Sequence, residues 1–153
     1  MPFDRLISAV DRWAGHTGRD DVFAQIGTTK MKPVHIRWTP FLEPNAFTMA
    51  VRDADAIVAH AGMGSILTAL AASKPIIVVP RRGDLRETRN DHQIATAKKL
   101  GSREGIHVAM DEAELSGILD SIDTLAAGVQ LTPVAPKPLI SAIQTFINQG
   151  AKL

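Results

Sequence analysis

Phe3, Leu6, Ile7, Val10 and Trp13 recur at helical spacing, with Asp4, Arg5, Asp11 and Arg12 opposite them. This pattern predicts an amphipathic helix ending near Gly15. Asp21 to Gly27 reads as a buried strand running into a Gly-Thr-Thr turn, and Val34, Ile36 and Trp38 alternate with His35 and Arg37 as in a marginal strand. Pro40 and Pro44 bracket a loop, and Asn45 to Ala54 follows as a short helix. The apolar run Ala56-Ile57-Val58-Ala59 stops at His60-Ala61-Gly62-Met63-Gly64-Ser65; a helix over about Ser65 to Ala72 and a buried strand, Ile76 to Val79, come next. A polar loop (81–90) leads to a helix from Asp91 to Leu100, a strand from Gly105 to Ala109 and a helix from Glu112 to Ala126. Such alternation implies an α/β fold: a doubly wound, mostly parallel sheet with helices on both faces. One irregularity stands out, because doubly wound domains usually begin on a strand and this pattern begins on a helix. Either an opening strand is missing or the sheet begins one strand late.

The domain expected from this pattern covers residues 1–132. A proline-rich connector (133–138) and an amphipathic tail helix (139–153) complete the chain.

Composition narrows the function classes. The 153 residues carry a net charge of +1, which provides no general field for nucleic acid or anionic lipid. Only 5% are aromatic and none is tyrosine, against a base-stacking platform. Cysteine is absent, which rules out disulfides and thiolate metal sites and fits a reducing, cytoplasmic setting. No stretch has the roughly 20 apolar residues of a membrane span, and no apolar leader follows the amino terminus. His and carboxylate residues lack metal-ligand spacing, so neither a metal nor another cofactor is expected.

The strand, glycine loop, helix and strand between Ala56 and Val79 name a ligand class. Free backbone N–H groups at a helix start, together with the helix dipole, suit a phosphate. Gly62 and Gly64 permit close backbone approach, and Ser65 is a candidate helix cap and phosphate contact. A tight structural turn with an ordinary serine cap is the plainer alternative. His60, at the strand end, either faces the same crevice or is a half-buried histidine satisfied by backbone. Asn90-Asp91-His92-Gln93, at the start of a later helix, offers the mixed donors and acceptors that read sugar hydroxyls; for Asp91, a simple helix cap is the other reading. Arg81, Arg82 and Arg86 are candidates for neutralising phosphate or touching a partner, against a solvated loop. Gly27 and Thr28 form a strand-end turn that either faces a ligand or merely turns.

Several of these motifs occur together in one family. His60-Ala61-Gly62-Met63-Gly64-Ser65-Ile66, Ala69-Leu70, Lys74 to Arg81, and Asn90-Asp91-His92-Gln93 with Ala95 and Ala97 resemble the carboxy-terminal, donor-binding domain of family 28 glycosyltransferases. A weaker likeness runs from Pro2-Phe3-Asp4-Arg5-Leu6-Ile7 through Gln25-Ile26-Gly27 to Leu100. The resemblance implies a Rossmann-like half of a GT-B fold. It is strongest to stand-alone subunits that supply the donor half of a split, inverting enzyme.

The resemblance implies a UDP-sugar donor, with the diphosphate at Gly62, Met63, Gly64 and Ser65 and the base near Phe41 and Leu42. Family members place a ribose-binding glutamate where Thr68 stands, and Glu87 is the candidate substitute. They also carry a strand ending in Gly-Thr before the Phe-Asp helix, of which Pro2-Phe3-Asp4 is the visible remnant. The catalytic base is expected from a membrane-associated, acceptor-binding partner subunit. This chain would then be recruited to the inner face of the cytoplasmic membrane without inserting. The acceptor would be lipid-linked or a growing exopolysaccharide, and little turnover is expected without the partner. A non-catalytic nucleotide-binding or regulatory module is the rival reading.

Overall fold

The structure is a computed structural model and describes residues 2–128. The proline-rich connector and the tail helix expected over 139–153 lie outside the described residues.

Helix α1 (Asp4–Thr17) ends at Gly18, whose φ of 69° lets the chain turn back with its N–H on the Ala14 carbonyl. Strands β1 (Phe23–Gln25) and β2 (Arg37–Thr39) pair in parallel. Helix α2 (Pro44–Asp53) leads to β3 (Ile57–His60), α3 (Met63–Ala71), β4 (Ile76–Val79), α4 (His92–Leu100), β5 (Ile106–Val108) and α5 (Glu112–Leu119). β3, β4 and β5 form a second parallel sheet with β4 central, Val58 opposite Ile77 and Ile77 opposite His107.

Every residue of β4 is buried, as a continuous Ile-Ile-Val-Val run between two helical layers should be. Its alternating side chains supply both cores. Ile77 and Val79 join Phe3, Val10 and Trp13 of the amino-terminal segment and Leu115 and Leu119 of α5. Ile76 and Val78 join Ile66, Ala69 and Leu70 of α3 and Ala97 of α4. The Trp13 indole N–H donates to Asp120 Oδ1 at 2.9 Å and ties α1 to the end of α5.

Four expectations need correction. The parallel strands form two sheets rather than one. The strand expected over Val34 to Trp38 begins only at Arg37, because Asp11 takes the backbone N–H groups of Val34, His35 and Ile36 at 2.7–3.3 Å. Asp11 itself is buried rather than on the polar face of α1. The helix expected to reach Ala126 stops at Leu119 and resumes only as a 3₁₀ turn, Ile122–Thr124.

Candidate functional site

Helix α1 fixes one rim of the molecule. Asp4, in its first turn, accepts a hydrogen bond from Thr29 just beyond β1. The Pro2 carbonyl accepts from Arg81 Nη1, just beyond β4, at 2.9 Å. The carboxyl ends of both sheets therefore share this rim, where ligands bind in open α/β sheets. Gly27, Thr28, Phe41, Leu42, His60, the Gly62–Ser65 turn, Arg81 and the Asn90–Gln93 segment all follow strand ends there.

The α3 start is the most open part of the rim. Gly62 is its N-cap, with no side-chain capping bond, and the first intrahelical bond of the turn runs from the Ile66 N–H to the Gly62 carbonyl. Among the described residues no acceptor meets the N–H groups of Met63, Gly64 or Ser65. Ser65 thus lies inside the helix and is not its cap, contrary to expectation.

The two glycines differ in their reasons. A Cβ on Gly62 would overlap the His60 ring, so the histidine's packing requires that glycine. A Cβ on Gly64 would meet nothing within 4 Å. Gly64 therefore borders open space, in the same first turn as the three N–H donors.

His60 lies half-buried at the end of β3, and its Nδ1 is buried without a hydrogen-bond partner. Burial first, and the Arg81 charge second, hold its pKa below the ordinary value, so the ring is neutral near pH 7. Arg81 packs over the Phe3 ring, 4.5 Å from the centroid, and Nη1 also donates to the Glu87 carbonyl at 3.1 Å. Burial lowers its pKa too, but a guanidinium stays charged. A fixed cation thus flanks the histidine.

The loop after β4 has a different character. Arg5 grips Glu87 bidentately, through Nε at 2.8 Å and Nη2 at 2.9 Å, and Nη2 also donates to the Pro80 carbonyl. Glu87 accepts further from the Arg82 N–H at 3.0 Å. Burial works to raise the Glu87 pKa, but the Arg5 and Arg82 hydrogen bonds outweigh it and hold the carboxyl below its usual range. Both carboxylate oxygens are engaged, which leaves Glu87 as a brace for the loop.

Other candidates also have internal partners. Gln93 Oε1 accepts from the Arg81 N–H at 3.1 Å, and Asp91 Oδ1 from the Gly83 N–H at 2.9 Å. Asp91 does not cap α4 with its side chain. Asn90 Oδ1 lies 3.4 Å from the His92 N–H, and His92 is exposed. Thr68 donates back to the Gly64 carbonyl at 2.8 Å. The Leu42 N–H donates to Gln25 Oε1 at 2.9 Å, so that donor is not free for a base edge, whereas Phe41 is 64% exposed. Gly27 takes φ 64° at the end of β1, and Thr28 is exposed beside it. Arg82 pairs with Asp84, and Arg86 lines a 220 Å³ cleft with Pro2, Asp4, Arg5, Leu85 and Glu87.

The sequence had not marked Arg5 or Asp11 as anything beyond helix surface. A bidentate pair spanning 82 residues leaves no local signal. Among the described residues, no group of three or more His, Asp or Glu side chains is arranged to hold a metal, and no helix is long and apolar enough to cross a membrane.

Comparison with known proteins agrees with this geometry. No curated protein matches. A crystal structure described as the glycotransferase of kitacinnamycin is similar in fold, with a TM-score of 0.57 and 17% sequence identity. The match covers 78% of this chain and 31% of that one, so the present chain spans about a third of that protein's length. The model of the glycosyltransferase family 28 C-terminal domain matches residues 2–146. A match over nearly the whole chain, with the glycine loop at the strand-end rim, places this protein in the glycosyltransferase family 28 C-terminal domain family.

Proposed function

We propose that this chain is the donor-binding component of an inverting, two-component glycosyltransferase that uses a UDP-sugar. The observation that carries the reading is the α3 start, where three backbone donors lie in the first turn and Gly64 borders open space. A diphosphate there gains charge-assisted hydrogen bonds and about 0.3–2 kcal/mol from the helix dipole. Arg81 and the neutral His60 stand at the next strand ends, a cation and an uncommitted ring nitrogen for the same anion.

In the reaction, an acceptor hydroxyl attacks the anomeric carbon and the bond to the diphosphate breaks. Negative charge grows on the leaving diphosphate, and the N–H groups of Met63, Gly64 and Ser65 stabilise it where it develops. The hydroxyl must lose its proton to a base. We assign that base to a membrane-associated acceptor-binding subunit, which would recruit this chain to the cytoplasmic membrane surface. The sugar hydroxyls would be read by the free groups of His92 and Gln93.

The rival, a nucleotide-binding module without turnover, draws support from one observation. Thr68 bonds its own helix and Glu87 bonds Arg5, so neither offers the free carboxylate that ribose recognition ordinarily uses. Calorimetric titration of the purified chain with UDP, UDP-sugars and NAD tests both. Selective uridine nucleotide binding is expected, with little turnover until the acceptor-binding subunit is added. Equal or tighter binding of NAD would reject the donor assignment, and transfer by the chain alone would reject the two-component one.

A further inference from the structure

At the carboxyl rim, one strand beyond the α3 start, a cleft of 290 Å³ opens at the ends of β4 and β5. Pro80 follows β4 and Met110 follows β5, and with Ile94 of α4 they supply the apolar part of its lining. The rest is charged: Arg82, Asp84, Asp91 and Asp111. The volume lies near the lower end for ligand pockets, about 300 Å³, which is room for one ring rather than for a nucleotide.

The charged groups are unequally committed. Arg82 and Asp84 close a bidentate pair, Nε to Oδ1 at 3.1 Å and Nη2 to Oδ2 at 2.7 Å, so that guanidinium already has its anion. Asp91 accepts from the Gly83 N–H through Oδ1 at 2.9 Å. Asp111 caps α5 through Oδ1, which accepts from the Ala113 and Glu114 N–H groups at 3.0 and 2.9 Å. Among the described residues, Oδ2 of Asp91 and Oδ2 of Asp111 have no partner. Each carboxylate is thus held by one oxygen and offers the other. Three carboxylates against one guanidinium leave the lining negative.

That chemistry is the opposite of the α3 start. Free N–H donors and a helix dipole attract an anion. Acceptor-only oxygens beside apolar carbon suit a neutral group with hydroxyl hydrogens at its edge and C–H bonds on its face. A pyranose has that make-up. The spacing fits as well: β3, β4 and β5 are neighbours in one sheet, and strands about 4.8 Å apart put the cleft about 5–7 Å along the rim from the end of β3. A sugar bonded to the second phosphate of a diphosphate reaches over that distance.

We propose that this cleft receives the donor's sugar, and that Asp91 and Asp111, with the Arg82–Asp84 pair, restrict it to neutral pyranoses. A uronic acid, whose C6 is a carboxylate, meets carboxylates that cannot donate to it, and the cation in the lining is already held by Asp84. A neutral hexose gives hydroxyl hydrogens to the free oxygens instead. The same field turns the nucleotide sugar one way round, with its diphosphate at α3 and its sugar toward β5. Selection of this kind presupposes the donor assignment.

Calorimetry of the purified chain with UDP, UDP-glucose and UDP-glucuronic acid tests it, since the two sugars differ only at C6. UDP-glucose is expected to bind about tenfold more tightly than UDP-glucuronic acid. In the Asp91→Asn, Asp111→Asn double variant the amide oxygens can keep the bonds to Gly83, Ala113 and Glu114, and the ratio should fall to about threefold or less. Equal binding of the two sugars by the wild-type chain would overturn the proposal, and so would a ratio that the double variant leaves unchanged. UDP separates the two levels. If neither UDP nor either sugar binds, the donor assignment fails and the subsite with it; UDP binding without discrimination between the sugars rejects the subsite alone.

Discussion

Two segments stand side by side at the carboxyl rim and treat their polar groups in opposite ways. The loop from Arg81 to Gln93 turns its chemistry inward: Glu87 on Arg5 and the Arg82 N–H, Asp91 on the Gly83 N–H, Gln93 on the Arg81 N–H. The α3 start does the reverse, with three free N–H groups and a glycine that borders open space. A buried or half-buried polar group without a partner is costly, and internal pairing is the ordinary remedy. The saturated loop therefore acts as a rigid wall, and the unsaturated turn is where an anion gains most. Variants in each segment should separate these roles, one moving stability and the other moving affinity.

The largest effect belongs to the wall. Glu87→Ala leaves the Arg5 guanidinium and the Arg82 N–H without their acceptor in a buried setting. Removing one partner of such a pair typically costs about 3–5 kcal/mol. Chemical denaturation should show a loss of that order, and Arg5→Ala should resemble it. If UDP affinity fell while stability held, Glu87 would be a ligand contact after all and the contrast would fail.

Gly64→Val probes the opposite segment. Its side chain enters open space as far as the protein is concerned, so stability should change by less than about 1 kcal/mol. UDP affinity should fall by about ten- to a hundredfold, equivalent to about 1.4–2.8 kcal/mol. Gly64→Ala should fall between wild type and valine. Unchanged binding of UDP in the valine variant would move the phosphate site elsewhere. Gly62→Ala makes a useful contrast, because it should lose stability through its clash with the His60 ring.

Acid should act through the buried carboxylates. Burial works to raise the Asp11 pKa, but the N–H groups of His35 and Val34 and the further bonds to His35 and Ile36 outweigh it and hold the carboxyl below its ordinary range. Glu87 is lowered likewise. Because both folded values lie below the unfolded ones, near 4, their contribution is present above about pH 4 and is lost as pH falls through the folded values. Asp11→Asn should cost about 1–3 kcal/mol at pH 7 and flatten that acid limb. A full acid limb in Asp11→Asn with Glu87→Gln would place the titration in other groups.

Much of this contrast was legible in the sequence, but unevenly. The β3–α3–β4 unit is local: an apolar run, two glycines and a second apolar run lie within about two dozen residues, and strand, turn, helix and strand follow in the order the pattern predicts. The wall was not legible, because Arg5 and Glu87 are brought together only by the packing of α1 beneath β4. Asp11 misled for a related reason. A carboxylate on an amphipathic helix ordinarily meets water, and nothing nearby in sequence reveals that residues 34–36 supply three donors to it. Ser65 misled because it has a capping residue's chemistry, while the helix starts two residues earlier with Gly62 as its cap. The division into two sheets depends on pairings between distant segments, which periodicity does not encode.

The smallest expected effect concerns His60, which lies where the two segments meet. Burial, and then Arg81, keep its ring neutral, so folding resists its protonation. Its folded pKa lies below the unfolded value of about 6.5, and stability should decline modestly as pH falls from there through the folded value. A bound diphosphate reverses the local field: negative charge beside the ring favours the imidazolium and offsets Arg81. Binding should then take up a fraction of a proton below about pH 6.5, and UDP affinity should strengthen by a few-fold between pH 7.5 and 6. Calorimetry in buffers of different ionisation enthalpy measures that proton directly. His60→Gln should remove the uptake while keeping most of the affinity, since the three N–H donors remain. Proton uptake that persisted in His60→Gln would show that the histidine does not share the anion with the helix start, and would confine the site to the α3 turn alone.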